Sequence, residues 1–347
     1  MKHIITIIFV VAVVTLSGCL NSGSGNPIGG VMKSEDAGRN FESKVYINEN
    51  TSLARSNVLS LAIDPSNNQI VYAGTGGNDL YKSVDGAESW TKLLTGITNI
   101  RSVAINPFST STIYISGLYK GRGSVVKSVD GGKNWHRVYL EPSDGTSVTA
   151  LVISLKNGEE VYIGTSGGTI ARTKDGGETW KNLYNAQDSV NSLMFDGGDM
   201  NTIYALIGGR DIYKSRDGGK TFEDISDLER ESQEELYEGQ LYSMATSPSV
   251  SGTIVVGTDN GVYKSVNYGQ TWTVVDVIAS TVGIPIHAVA ISPHDANNLV
   301  YAAAKAVYTS VPDGWAITDT TSNRVVSVIT HDPVDSNMVY IGLKNVK

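Results

Sequence analysis

The chain has 347 residues, with 27 Lys and Arg against 35 Asp and Glu, so charged side chains make up only 18 % and the net charge is −8. That is too apolar and too low in charge for a disordered chain, and the acidic balance argues against a nucleic-acid binder, which would carry a basic face. One Cys excludes a disulfide framework and a Cys-based zinc cluster, and the five His show no metal-ligand spacing.

In chain order, Lys2 and His3 precede a thirteen-residue apolar run, Ile4 to Leu16. This is too short to span a bilayer and suits the core of a signal peptide. The run ends in Leu16-Ser17-Gly18-Cys19, which resembles a bacterial lipobox, and Cys19 is the expected site of lipidation. Residues 1–18 are thus expected to be a lipoprotein signal peptide. Residues 19–42, rich in Gly, Ser and Asn, read as the lipidated Cys and a flexible tether. The expected location is the cell envelope, extracytoplasmic and anchored through the N-terminal lipid, in the outer membrane if the host has one.

Residues 43–347 read as one repeat array. Five eight-residue boxes align: Ser83 to Trp90 around Asp85, Ser128 to Trp135 around Asp130, Thr173 to Trp180 around Asp175, Ser215 to Phe222 around Asp217, and Ser265 to Trp272 around Asn267. A sixth, degenerate box runs from Ser310 through Asp313 to Trp315, and all five Trp of the protein fall in these segments. A second mark is an apolar pair, usually with Tyr: Val71-Tyr72, Ile113-Tyr114, Val161-Tyr162, Ile203-Tyr204, Ile254-Val255, Val300-Tyr301 and Val339-Tyr340. Upstream of each lies a strand-like run with a small residue near its start: Ser60, Ser102, Ala150, Ser192, Ser243, Ala288 and Ser327. A period of 42 to 50 residues with four strand-like runs per unit is a propeller pattern. The expected fold is all-β, a seven-bladed β-propeller of four-stranded blades with box turns. The chain stops partway into the last blade, so an N-terminal strand, Lys44 to Asn50, is expected to supply the missing outer strand and close the ring.

The box pattern, Ser/Thr-x-Asp-x-Gly-x-x-Trp/Phe, resembles the Asp-box (BNR) repeat of sialidases, sortilin-type receptors, xyloglucanases and photosystem II assembly-factor propellers. Ala87 in place of Gly, Asn267 in place of Asp and the scrambled sixth box depart from it. The resemblance implies the fold strongly and the activity weakly, because unrelated functions share the repeat. The box residues themselves read as structural: Asp or Asn accepts turn N–H groups, Gly supplies positive φ, and Trp buries a face between sheets.

No active site is legible. The Arg-Ile-Pro motif that sialidases carry before their first repeat is absent, and xyloglucanase-type enzymes use two propellers where this chain has material for one. No G-x-S-x-G, P-loop or H-E-x-x-H occurs. No catalytic residue, metal ligand or cofactor is therefore assigned. Propeller topology gathers the loops between second and third strands, and between blades, on the face opposite the boxes. That face carries Lys120, Arg122 and Arg210, with Arg101, Tyr242 and His287 at strand starts, as the candidate partner-binding set. Asp224 to Glu238 forms an acidic inter-blade insertion at its rim. The functional expectation is a non-catalytic binding or assembly scaffold for a protein partner. The alternative is a carbohydrate-active enzyme or glycan-binding protein of the sialidase or glycoside-hydrolase type.

Overall fold

A computed structural model describes residues 29–77, 79–226, 239–276 and 283–346. Cys19, the signal-like run and most of the acidic insertion lie outside the described residues. Seven four-stranded antiparallel sheets form the blades of a propeller. Their innermost strands are Val58–Ile63, Thr98–Ile105, Val148–Ile153, Val190–Phe195, Leu241–Thr246, Ile286–Ile291 and Val325–His331, for blades 1 to 7 in turn. Second strands such as Val71–Thr75, Val161–Thr165 and Ile254–Thr258 are buried along their whole length. Each is flanked in its own sheet and faced by neighbouring blades, which is why its residues are apolar on both parities.

Closure is by the N-terminus, but through a different segment from the one expected. Gly30–Ser34 pairs along its length with Val339–Lys344 as the third strand of blade 7, and Glu42–Ser43 follows as the outer strand. Between them lies a further Asp box: Ser34-Glu35-Asp36-Ala37-Gly38-Arg39-Asn40-Phe41. The Ser34 hydroxyl donates to Asp36 at 2.7 Å, and Asp36 accepts the Asn40 N–H at 2.8 Å. Residues 30–42 are thus propeller rather than tether. The segment Val-Met-Lys-Ser that opens the box matches Leu80-Tyr81-Lys82-Ser83 of blade 1, a likeness hidden by the Gly- and Asn-rich composition around it. Lys44–Asn50 instead leads into a small ribbon, Tyr46–Asn48 with Thr51–Ser52, that carries the chain from blade 7 to blade 1.

Two further sequence alignments shift. The supposed sixth box is a tight hairpin in which Val311 pairs with Gly314 across Pro312-Asp313. Two linking residues leave no room for a box turn. In blade 6, Leu299-Val300 and not Val300-Tyr301 occupies the place of Val71-Tyr72, because Ile291 pairs with Leu299 as Ile63 pairs with Val71. A one-residue slip moves a side chain to the opposite face, so Tyr301 stacks on Tyr308 at 4.7 Å and meets Trp315 edge-on.

The boxes hold the blades together. In box 2 the Ser128 hydroxyl donates to Asp130 at 2.8 Å and accepts from Gly132 N–H at 2.9 Å, while Asp130 accepts the Lys133 and Asn134 N–H groups. The indole N–H of Trp90, Trp180, Trp272 and Trp315 each reaches a backbone carbonyl of the preceding blade's outer edge: Lys44, Val138, Ile225 and Asp276. Trp135 turns back to its own Gly132, and Phe222 packs on Tyr184 of blade 3 at 4.8 Å. Across the same seams, Lys82, Lys127 and Lys214 on third strands donate to the box backbone of the following blade, at Gly131, Gly176 and Tyr268. The boxes of blades 3 and 5 are therefore tied to the preceding blade by both an indole and an ammonium.

Candidate binding site at the loop-face mouth of the channel

The inner strands surround a central channel. All seven blades show a register shift near the start of the inner strand, opposite the second strand's end. A bulge leaves one residue out of the ladder and re-aims its side chain. The residues at this point in successive blades are Leu59, Arg101, Thr149, Asn191, Tyr242, His287 and Ser327, and all seven line a cavity of about 420 Å³ at the channel's loop-face mouth. The bulge also corrects the small-residue alignment. Val328 rather than Ser327 pairs with Gly342 where Ser60 pairs with Gly74.

Two of the seven are turned into the scaffold. Thr149 donates to the Gly164 and Val190 carbonyls, and Ser327 to those of Val58 and Gly342. Arg101 and Asn191 are exposed, and Tyr242 and His287 form an edge-to-face pair at 5.0 Å. Lys344, at the end of blade 7's second strand, joins them: burial and then the Arg101 charge hold its ammonium below the usual lysine range. His287 is likewise held below the ordinary histidine value, first by burial and then by Lys344. Lys344 thus senses Arg101 and His287 senses Lys344, and no carboxylate is among the described residues lining the mouth.

The rest of the expected set separates. Arg122 is already engaged: its guanidinium donates to the Glu141 and Pro142 carbonyls at 2.6–2.9 Å and pairs with Asp144 at 3.3 Å, pinning the connection from blade 2 to blade 3. Lys120 sits at the tip of blade 2's hairpin, with φ at 48° and its ammonium over the Tyr119 ring. Arg210 is exposed on the corresponding hairpin of blade 4, so blade 3 stands between the two. Of the residues expected on this face, Arg101, Tyr242 and His287 thus lie together at the mouth, and Lys120, Arg122 and Arg210 do not. The sequence signal for the mouth was the residue just before the small residue in each inner strand, read across blades.

Fold and boxes define an Asp-box seven-bladed β-propeller. No family model matches the chain, and no curated protein matches it. Among solved structures it is similar to the GH74 xyloglucanase from Xanthomonas campestris, with a TM-score of 0.68 at 17 % identity over 83 % of this chain and 51 % of that one. It is also similar to YCF48 from Cyanidioschyzon merolae, with a TM-score of 0.63 at 15 % identity over 83 % of this chain and 96 % of that one. A structure of YCF48 bound to D1 peptide gives 0.62 at 17 % identity, over 84 % and 94 %. The chain spans about half the length of the xyloglucanase and nearly all of YCF48. At such identities the likeness shows the fold.

Proposed function

We propose that this protein is a non-catalytic docking scaffold that binds an acidic segment of a protein partner at the loop-face mouth of its channel. The observation that carries the reading is a mouth lined by Arg101, His287 and Tyr242 with no carboxylate among the described residues, within reach of the Lys344 charge. Paired-carboxylate sugar hydrolysis needs two acids flanking the scissile bond, so this mouth favours a docking role over a glycosidase one. The YCF48 structure with a bound peptide provides a precedent in the same fold. In this proposal the chain is also lipid-anchored at Cys19 and extracytoplasmic.

Electrostatic docking weakens as salt screens it, and charge reversal is a sharper probe than truncation. Wild type and Arg101→Glu/Lys344→Glu are purified from the same cells with their bound proteins, at low and high salt. The double reversal is expected to lose the salt-sensitive partner, while Lys120→Glu/Arg210→Glu keeps it. Equal recovery by wild type and the Arg101/Lys344 variant would refute the reading.

A further inference from the structure

In each blade the fourth strand is the outer one, and its far side pairs with no other strand among the described residues. Such an edge carries free N–H and C=O groups that invite a further strand, and proteins guard it by shortness, bulges or charged side chains. The outer strands of six blades are guarded in these ways. Glu42–Ser43, Glu223–Asp224 and Thr273–Val274 are two residues long, and Thr91–Leu93 is three with Lys92 at its centre. His136–Leu140 and Lys181–Asn185 are longer, but each has a register shift against its third strand and an exposed basic side chain, Arg137 or Lys181. At or just beyond four of these strands, the indole of the following blade also takes a carbonyl.

Blade 6 has none of these devices. Its outer strand, Gly314–Asp319, makes six consecutive pairs with Ala306–Val311 and no register shift. It holds no Lys or Arg, and its one charged residue, Asp319, is paired with Lys305 at 3.0 Å. The box that follows, in blade 7, has Phe41 in the indole's place. At the middle of the strand the Ile317 side chain is 51 % exposed.

The tight hairpin fixes which backbone groups face outward. Val311 and Gly314 flank its two-residue turn as a hydrogen-bonded pair, so Ala316 and Thr318 also bond inward, as the Thr320 N–H does to the Lys305 carbonyl at 3.1 Å. The N–H and C=O groups of Trp315, Ile317 and Asp319 therefore point out from the edge, and they have no backbone partner among the described residues.

We propose that the outer strand of blade 6 pairs edge to edge with the same strand of a second copy of this chain, giving an antiparallel, two-fold dimer centred on Ile317. In that register the strand is its own complement. The two Ile317 side chains meet on the axis, each Trp315 lies opposite an Asp319, and no two carboxylates face one another. The three outward-facing pairs add about six backbone hydrogen bonds, two to a pair. A two-fold contact uses the same patch on both subunits and closes on itself, so association stops at the dimer. The contact lies on the rim of the propeller and is independent of docking at the loop face.

The test uses the full chain carrying Cys19→Ala, so that no lipid brings copies together. Sedimentation velocity from about 1 to 100 µM should show a monomer–dimer equilibrium. Ile317→Lys sets two ammonium groups against each other on the axis, at an exposed position. It should weaken dimerisation at least about tenfold and leave the melting temperature unchanged. Two further readouts locate the contact. The Ile317 and Asp319 amides should exchange more slowly in concentrated than in dilute protein. Under mild oxidation Cys19→Ala/Ile317→Cys should form a disulfide-linked dimer, while Cys19→Ala/Leu94→Cys, at an 83 % exposed position on blade 1, should not. A monomer at every concentration would overturn the proposal and leave this edge to an extended segment of another protein. A dimer that Ile317→Lys leaves intact, or one in which the Ile317 and Asp319 amides exchange no more slowly, would overturn it equally.

Discussion

Each Asp box places two consecutive residues at positive φ, as at Gly131 (73°) and Gly132 (93°). A methyl group on Gly132 would lie 2.8 Å from the Leu93 side chain, so both conformation and space call for glycine there. Ala87 takes the second position at 76°, and Ala37 and Tyr268 the first at 61° and 64°, closer to the left-handed well that other residues visit. The carboxylate is the other half of the turn. The Asn134 N–H holds the Asp130 carboxyl well below the usual range, and the Thr173 hydroxyl does the same for Asp175. For Asp217, the Thr221 N–H leads in lowering it to about 2. Folded-state values lie below the unfolded value near 3.9. Their contribution is therefore present above about pH 4 and is lost as pH falls through the folded values. Box 5 already uses Asn267, whose side chain makes the same turn bonds without titrating. Asp130→Asn/Asp175→Asn/Asp217→Asn is thus expected to melt with a flatter pH dependence than wild type between pH 4 and 2. Parallel melting curves for the two proteins over that window would contradict this account of the boxes.

Blade 7 is the one element built from both ends of the chain. Its first two strands come from Val325–His331 and Val339–Lys344, and its third and fourth from Gly30–Ser34 and Glu42–Ser43. Met32, Val339, Ile341 and Leu343 share a core with Val300 and Val307 of blade 6, while Val31 and Tyr340 pack with Val58 and Val71 of blade 1. Arg324 adds a latch, donating to the Ser56 carbonyl at 2.6 Å. Removing residues 20–43 strips two strands and exposes an unpaired edge with apolar surface. Removing residues 20–28 stops short of the first sheet strand. The longer deletion is expected to lower the melting temperature by about 10 °C or more, on the scale of a few kcal/mol in a protein this size. The shorter one should leave it unchanged, and equal melting of the two would exclude closure by Gly30–Ser34.

The molecule presents two chemically different mouths on one axis, basic on the loop face and apolar on the box face. Gly30 pairs with Leu343, beside Lys344, so the chain enters blade 7 from the loop face. With the proposed anchor at Cys19, the ten residues to Gly29 span at most about 35 Å when extended. In that proposal the tether meets the propeller on its loop-face side. Cys19→Ala is expected to shift the protein from the membrane to the detergent-free soluble fraction, with its melting temperature unaltered. Wild type found soluble and unacylated would remove the anchor.

Box spacing, glycine pairs and the recurring Tyr strands were enough to reach a seven-bladed propeller, because each blade repeats the same local turn chemistry and the same buried strands. Local chemistry is what a linear pattern records. The box of blade 7 was legible too, in Ser34 to Phe41, but its composition resembles a linker, and only pairing with Val339–Lys344 distinguishes strand from tether. Which basic residues meet was decided by the bulges: they turn Arg101, Tyr242 and His287 toward the axis beside Lys344, while Arg122 is consumed by the Glu141 and Pro142 carbonyls. Turns depend on neighbours a few residues apart, whereas a channel depends on seven strands separated by whole repeats, and their side chains share a site only after the sheets have packed.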